Sequence, residues 1–155
     1  SIKEILGDEL EYVNKLNNLE TLREVKDKLK KAIIEITSYI FNSKKENEKR
    51  NIDLINDYIN ENYMMDISLN NISKHIFISP SYISTLIKEH YNENFVERVT
   101  RLRIEEAKFL LLSGRNKVYE IAEKVGYKDR RYFSEIFKKC TGLTPKKYVE
   151  KYRKL

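Results

Sequence analysis

The sequence predicts an all-α protein, and three observations support this prediction. Apolar residues recur at steps of three and four along almost the whole chain, which is the spacing of one helix face. No sustained alternation of apolar and polar residues, the pattern of a half-buried strand, occurs. Only four of the 155 residues are Gly and two are Pro, so few positions would interrupt a helix. The hydrophobic content of 41% indicates a chain that folds around a core.

The first predicted helix begins near Leu22 and is expected to extend for about 25 residues. Its apolar positions share one face: Leu22, Val25, Leu29, Ala32, Ile36 and Tyr39. Ile33 and Ile40 widen this stripe beyond what a solitary surface helix needs. We therefore expect residues 22–40 to pack either against earlier apolar residues or against a second subunit in a homodimer. The earlier residues are Ile5, Leu6, Val13 and Leu16.

A polar run without apolar residues, 43–51, marks the predicted boundary between a helical linker segment, residues 1–50, and a domain, residues 51–155. Either a loop or an exposed continuous helix is expected over the run itself. The domain holds 19 basic and 14 acidic side chains, whereas the linker segment holds 11 and 10. The positive excess of the domain suits a polyanionic partner.

Further helices are predicted within the domain from apolar spacing and from start and stop signals. Ser68 can cap a short helix, and the pair Ser79-Pro80 is a strong helix start because a proline at the first position loses no hydrogen bond. Gly114 is expected to end a long helix. The predicted helices run from 52 to 63, from 69 to about 76, from 81 to about 91, from 95 to about 113, from 118 to 125, from 130 to about 140, and onward from 145.

The domain repeats itself at a shift of 50 residues. Among the matched pairs are Tyr82 and Tyr132, Ile83 and Phe133, Ser84 and Ser134, Leu86 and Ile136, and Lys88 and Lys138. Each copy has a short helix, a tight turn and a longer helix opened by a polar cap, as in a helix-turn-helix. We call these copies the first module, about residues 68–91, and the second module, about residues 117–141. A helical bundle whose halves are merely alike is the alternative.

The turns of the two modules are expected to differ. Gly126 allows the positive φ that such a turn often requires, and Ala122 is small enough for two helices to cross. The first module has Phe77 and Ser73 at the nearby positions. The helix between the modules, of about 18 residues, would span about 27 Å. Major-groove segments on one face of B-DNA repeat about every 34 Å, so this helix could present both longer helices to adjacent segments.

Several stretches of the sequence resemble the AraC family of transcription regulators. They are 118–127, which reads VYEIAEKVGY, 132–145, which reads YFSEIFKKCTGLTP, 79–88, 103–112 and Tyr148. The resemblance covers about residues 52–153. The first fifty residues, including LETLREVKDKL at 19–29, look like the segment between receiver and output domains of YesN-type response regulators.

The resemblance implies a seven-helix output domain that binds promoter DNA, often as a dimer, and acts on transcription through RNA polymerase. The base-contacting residues it implies are Ser81, Ser84, Thr85, Arg130, Arg131, Tyr132 and Glu135. The chain departs from the family pattern at two places. The usual Gly after the first longer helix falls at Asn92 or Asn94, and a frequent linker Tyr is Arg98.

The chemistry of these residues suits duplex recognition. Arg130 and Arg131 lie in the first turn of their helix, and Arg is the side chain that forms a bidentate contact with guanine. Glu135 could accept a hydrogen bond from cytosine or orient an Arg; a solvated acid, or a partner of Arg131 within the helix, is the equal alternative. Phosphate contacts, which position without specifying sequence, are expected from Lys88, Arg101, Ser134, Lys138, Lys146 and Lys147. A merely solvated side chain is the alternative for each lysine.

Other functions find little support. We expect no metal site, no cofactor and no enzymatic activity, because His75 and His90 lack neighbouring ligands and no phosphate-binding glycine loop occurs. Cys140 is expected to be a packed thiol. A single cysteine and the absence of an apolar run of about 20 residues favour the cytoplasm over a membrane. The alternative function is a basic helical module that binds a protein or RNA without duplex sequence specificity.

Overall fold

The computed structural model describes residues 13–14 and 21–153. Within residues 21–153 all regular structure is α-helical, which confirms the predicted fold class. The helices are α1 Leu22–Asn62, α2 Leu69–Ile76, α3 Pro80–Tyr91, α4 Phe95–Ser113, α5 Val118–Lys124, α6 Arg130–Thr141 and α7 Pro145–Tyr152. The chain divides into two compact parts, residues 1–50 and 51–155.

Helix α1 is a single helix of 41 residues. The polar run 43–51 is therefore a continuous helix, the second of the two forms expected for it, and the helices predicted on either side of the run are one. The run contains neither Gly nor Pro, so nothing in it breaks the helix. Lys44 and Glu48, one turn apart, form an exposed ion pair with 3.8 Å between Nζ and Oε1.

The apolar stripe of α1 is only partly covered. Ala32 is buried and Val25 and Ile36 are half-buried, whereas Ile33 and Ile40 are 64% and 56% exposed. Of the earlier residues expected to pack against the stripe, Val13 is 50% exposed. Ile5, Leu6 and Leu16 lie outside the described residues.

Residues 51–153 form two hydrophobic cores. The first core contains Ile52, Ile55 and Ile59 of α1, Ile72 of α2, Ile83, Leu86 and Ile87 of α3, and Val99 of α4. The second core contains Ile104, Ala107 and Leu111 of α4, Ile121 and Ala122 of α5, and Val125, Tyr127, Phe133 and Phe137. Helix α4 contributes its first half to one core and its second half to the other, so it is the structural link between the modules.

Polar caps define the starts of four helices, and two of them, Ser68 and Ser79, are the caps that the sequence predicts. Ser68, Ser79, Asp129 and Thr144 each accept a hydrogen bond from a backbone amide in the first turn of the helix that follows. Gly114 and Gly126 have φ values of 66° and 90°, as expected.

Two Asn residues stand where the family pattern has a Gly, and both define helix ends. Asn92 ends α3 with φ 54°, the conformation that Gly142 adopts after α6 with φ 76°. Asn tolerates this left-handed region better than most residues. Asn94 caps α4 and forms a capping box with Glu97. The left-handed conformation at the end of α3 is therefore formed without a glycine.

One packing prediction is wrong. Cys140, expected to be a packed thiol, is exposed. The residues that α6 buries are Phe133 and Phe137, both before its last turn, which carries Cys140.

Candidate nucleic-acid interface

Helices α3 and α6, the longer helices of the two modules, are built in the same way. Each has 12 residues and begins after a polar cap, Ser79 or Asp129, in extended conformation. The cap oxygen accepts from the backbone amide of Tyr82 in α3, at 3.2 Å, and of Tyr132 in α6, at 2.8 Å. The buried residues of each helix lie on one face, so the opposite face presents polar residues to solvent.

The outward face of α3 carries short side chains. Ser81, Thr85 and Lys88 are exposed and Ser84 is half-buried. The Thr85 hydroxyl donates to the carbonyl of Ser81 at 3.1 Å. Its hydroxyl hydrogen is therefore engaged, and the oxygen is left to accept hydrogen bonds from a partner.

The outward face of α6 carries long and charged side chains. Arg130, Arg131 and Glu135 are exposed, and Tyr132 is 54% exposed. Lys138, one turn beyond Ser134, is exposed as well. The structure brings four of the predicted contact residues together around one surface depression, which is lined by Arg130, Arg131, Ser134 and Glu135. Ser134 is half-buried, and its hydroxyl donates to the carbonyl of Arg130 at 2.9 Å.

The charges in this depression are not paired with one another. Among the ion pairs of residues 21–153, none within 4.0 Å joins Arg131 to Glu135, so the intrahelical pair considered for them is not formed. Two guanidinium groups and a carboxylate therefore face solvent at the first turns of α6. Such a surface can donate to acceptors on a ligand at two points and accept at a third.

Arg101, a predicted phosphate contact, is engaged by Glu93. Its Nε and one Nη donate to the two carboxylate oxygens at 3.1 and 2.8 Å, a bidentate pair. The hydrogen bonds from Arg101, supported by Arg98, hold the pKa of the Glu93 carboxyl below its ordinary value of 4.5. A phosphate would have to compete with Glu93 for this guanidinium.

The predicted phosphate contacts on α7 lie at its exposed first turn. Lys146 forms a pair with Glu150 at 4.0 Å, with side chains 86% and 61% exposed. Such a pair contributes little energy and leaves the ammonium available. Lys147 is exposed, and its backbone amide donates to the Thr144 cap.

A buried polar cluster behind α3 escaped the sequence analysis. The Arg98 side chain is 8% exposed and donates to Asn56 and to Glu93. Its guanidinium also lies over the Tyr91 ring, 3.5 Å from the centroid, and Asn56 donates to the Tyr91 hydroxyl. The cluster joins α1, the end of α3 and α4. The only sequence signal was that Arg98 departs from the family pattern.

The two histidines lie against aromatic rings. His75 is 5.0 Å from Tyr58 between ring centroids, and His90 is 4.6 Å from Tyr91.

Across residues 13–14 and 21–153, none of the helices has the length and apolar character to cross a membrane.

A family model described as a helix-turn-helix domain matches residues 72–151. A raffinose operon transcriptional regulatory protein from Pediococcus pentosaceus is 38% identical over 91 residues, which are 59% of this chain and 33% of that protein. The C-terminal domain of the response regulator AraT from Geobacillus stearothermophilus aligns with a TM-score of 0.61 and 35% identity, covering 64% of this chain and 83% of that one.

The C-terminal domain of the two-component response regulator YesN from Fusobacterium nucleatum is similarly close. It aligns with a TM-score of 0.59 and 37% identity, covering 66% of this chain and 96% of that one. The curated relatives are longer than these domains, and the alignments with the first of them span 33% to 54% of their lengths.

Proposed function

The chain belongs to the helix-turn-helix family of AraC type, as its resemblance predicted, and from this premise we propose that it binds double-stranded DNA sequence-specifically and regulates transcription. The observation that carries the proposal is the exposed face of α6, where Arg130 and Arg131 reach solvent without an acidic partner beside a helix start. A helix that enters the major groove presents its N-terminal residues to the base edges. Arg at such a position can form two hydrogen bonds with guanine.

The two recognition helices have different tasks in this proposal. Helix α6 supplies the stronger base discrimination through Arg130 and Arg131, with Tyr132 and Glu135 beside them. Helix α3 supplies weaker discrimination, because Ser81, Ser84 and Thr85 are short and bind bases, phosphates or bridging water alike. The positioning contacts to phosphate come from Lys88, Arg101, Ser134, Lys138, Lys146 and Lys147.

Helix α4 acts as the spacer between the two contacts. Its 19 residues correspond to a length of about 28 Å. Adjacent major-groove segments on one side of B-DNA are about 34 Å apart. Because α4 contributes to both cores, it can hold α3 and α6 at a separation close to one helical turn of DNA.

The wider setting follows from the two response-regulator neighbours. We propose that residues 51–155 are the output domain of a two-component response regulator and that residues 1–50 connect it to an upstream domain. Regulation of transcription would place it in the bacterial cytoplasm, with RNA polymerase as a candidate partner.

A homodimer formed through residues 22–40 is the second part of the proposal. Ile33 and Ile40, seven residues apart and therefore on one side of α1, are both more than half exposed. Neighbouring positions of the same half of α1 add to this apolar area; they are Leu22, Leu29, Ile34 and Phe41. A second copy of the chain offers the same stripe, and a two-fold interface pairs identical surfaces. Dimers would also match DNA sites that occur as two repeats.

The dimer is tested by sedimentation of the 155-residue chain over a range of concentrations. We expect self-association that is abolished in the double variant Ile33→Lys and Ile40→Lys. Glu46→Lys, which adds positive charge to an exposed position of the same helix, is the control and should sediment like the parent chain. A parent chain that is monomeric at all concentrations would remove this part of the proposal.

DNA binding is tested by selecting bound sequences from a pool of random duplexes. We expect one enriched motif with two contacted segments, and an affinity for it that resists competitor DNA and falls steeply with salt. Equal affinity for all duplexes would contradict the proposal. Preference for RNA, or no nucleic-acid binding at all, would favour the alternative of an interaction module for RNA or protein.

A further inference from the structure

Arg103 of α4 joins the loop before the first module to the second module. Its Nε donates to the backbone carbonyl of Tyr63 at 2.6 Å, and one Nη donates to the carbonyl of Met65 at 2.7 Å. The same guanidinium lies over the ring of Tyr127, 5.2 Å from its centroid. Tyr63 and Met65 lie in the loop between α1 and α2, whereas Tyr127 lies in the turn before α6.

Gly126 brings the two parts into direct backbone contact at the same place. A Cβ added to Gly126 would lie 2.4 Å from the carbonyl oxygen of Met64 and 3.0 Å from the guanidinium carbon of Arg103. Its φ of 90° is also one that side chains rarely adopt. We call the contact formed by Arg103, residues 63–65 and residues 126–127 the seam.

The bridging role distinguishes Arg103 from its counterpart in the repeat. Arg153, fifty residues later, lies against Gly114 in the second half of the domain, so an Arg beside the preceding loop is a feature of both copies. Within residues 21–153, Arg103 also lies over an aromatic ring, that of Tyr127 in the second module, and Arg153 has no such contact. The exposed pair of Lys128 with Asp66, at 3.9 Å, also crosses the seam but contributes little because both side chains are more than 90% exposed.

We propose that the seam sets the spacing between the two DNA segments that α3 and α6 contact, with Arg103 as its positioning residue. This inference rests on the proposed DNA-binding function. Helix α6 begins four residues after Gly126, so a shift of the turn at 126–127 shifts the start of α6 relative to the first module. Helix α4 contributes residues to both cores, and the seam adds a second point of attachment that opposes a tilt of the two halves about α4.

The test uses the DNA site enriched by selection and derivatives with one base pair inserted or deleted between the two contacted segments. One base pair moves the segments by about 3.4 Å and rotates them by about 34°. For the parent chain we expect each change to weaken binding by about tenfold or more, the effect of a mismatched base pair. For Arg103→Met we expect weaker binding to the original site and a difference of less than about threefold among the three spacings.

Arg98→Met is the matched control. Arg98 lies on the same helix and is more buried than Arg103, but its bonds to Asn56 and Glu93 remain within the first half of the domain. The control should lower stability and affinity while keeping the spacing preference of the parent chain. Arg103→Lys keeps the charge but not the forked geometry, so its spacing preference should lie between those of the parent chain and Arg103→Met. It replaces Arg103→Met in the test if that variant does not fold. Gly126→Ala should move or flatten the spacing optimum.

The outcomes separate this inference from the proposed function. If selection enriches no duplex, the DNA-binding proposal fails. If a site is enriched but the parent chain tolerates all three spacings equally, or if the Arg103 variants keep its sharp preference as Arg98→Met does, the seam does not set the spacing and the inference is overturned.

Discussion

Removing one guanidinium from the start of α6 should weaken binding at a single base pair of the DNA site. Arg130 and Arg131 are exposed and point away from the second core, so Arg130→Ala or Arg131→Ala should change the free energy of unfolding by less than about 0.5 kcal/mol. The Asp129 cap remains, since it bonds to the backbone amide of Tyr132. The whole effect therefore appears in binding. A lost bidentate contact with guanine is worth about 1–3 kcal/mol, or about 5- to 150-fold in Kd.

Lys138→Ala should act differently because a phosphate contact carries no sequence information. We expect an equal loss for all duplexes and a reduction of about 0.9 in the slope of log affinity against log salt. For either Arg variant the loss should disappear on a duplex in which the contacted guanine has been replaced, because the parent chain has then lost that contact too.

The assay is fluorescence anisotropy on a panel of duplexes that carry every single base substitution of the selected site, at two or more salt concentrations. Lys45→Ala, which removes one exposed charge of α1 outside both recognition helices, corrects for the change in net charge. If Arg130→Ala, Arg131→Ala and Lys138→Ala reduce affinity by the same factor across the panel, the division into base and phosphate contacts is wrong.

Three predictions concern stability. Phe77→Asn should raise the free energy of unfolding by about 1 kcal/mol in urea titration, because Phe77 holds φ 59° and is 91% exposed, and Asn tolerates this conformation. Arg98→Met should lower the free energy of unfolding by about 3 kcal/mol, since it breaks a buried charged network; an unchanged midpoint would show that the cluster is not stabilising. The lowered pKa of Glu93 means that its bonds stabilise the fold above pH 4.5 and are lost as pH falls through the folded-state value. Glu93→Gln should therefore be less stable at pH 7 and lose less stability on acidification; parallel pH profiles for variant and parent would contradict this.

The helices could be predicted from sequence because their signals are local. Apolar spacing, the caps at Ser68 and Ser79 and the glycine at position 114 each act within a few residues. The repeat at a shift of 50 strengthened these predictions, because a weak signal in one module was supported by the same signal in the other. For the candidate site, the outward positions of α3 and α6 follow from helix periodicity alone.

The contacts that fix the modules could not be predicted in this way. Arg98 and Asn56 are 42 residues apart, and Arg103 and Tyr63 are 40 apart. Such pairings depend on how helices pack, which periodicity does not specify. The engagement of Arg101 by Glu93 was missed for a similar reason: a loop carboxylate, eight residues earlier, is brought beside the helix only by the fold. The sequence indicates that Arg101 is on the surface, but the bond to Glu93 decides whether its guanidinium is available to a phosphate.

The turns of the two modules show why a tandem repeat does not stay symmetric. Both turns contain a residue with positive φ, Phe77 at 59° and Gly126 at 90°. The first turn faces solvent, so a side chain can be accommodated there at the cost of backbone strain alone. The second turn lies against the carbonyl of Met64, where even a Cβ would be 2.4 Å from the oxygen. Glycine is therefore required in the second turn because the loop before the first module packs against it, and the residue that differs between the two turns identifies the surface along which the two halves of the domain meet.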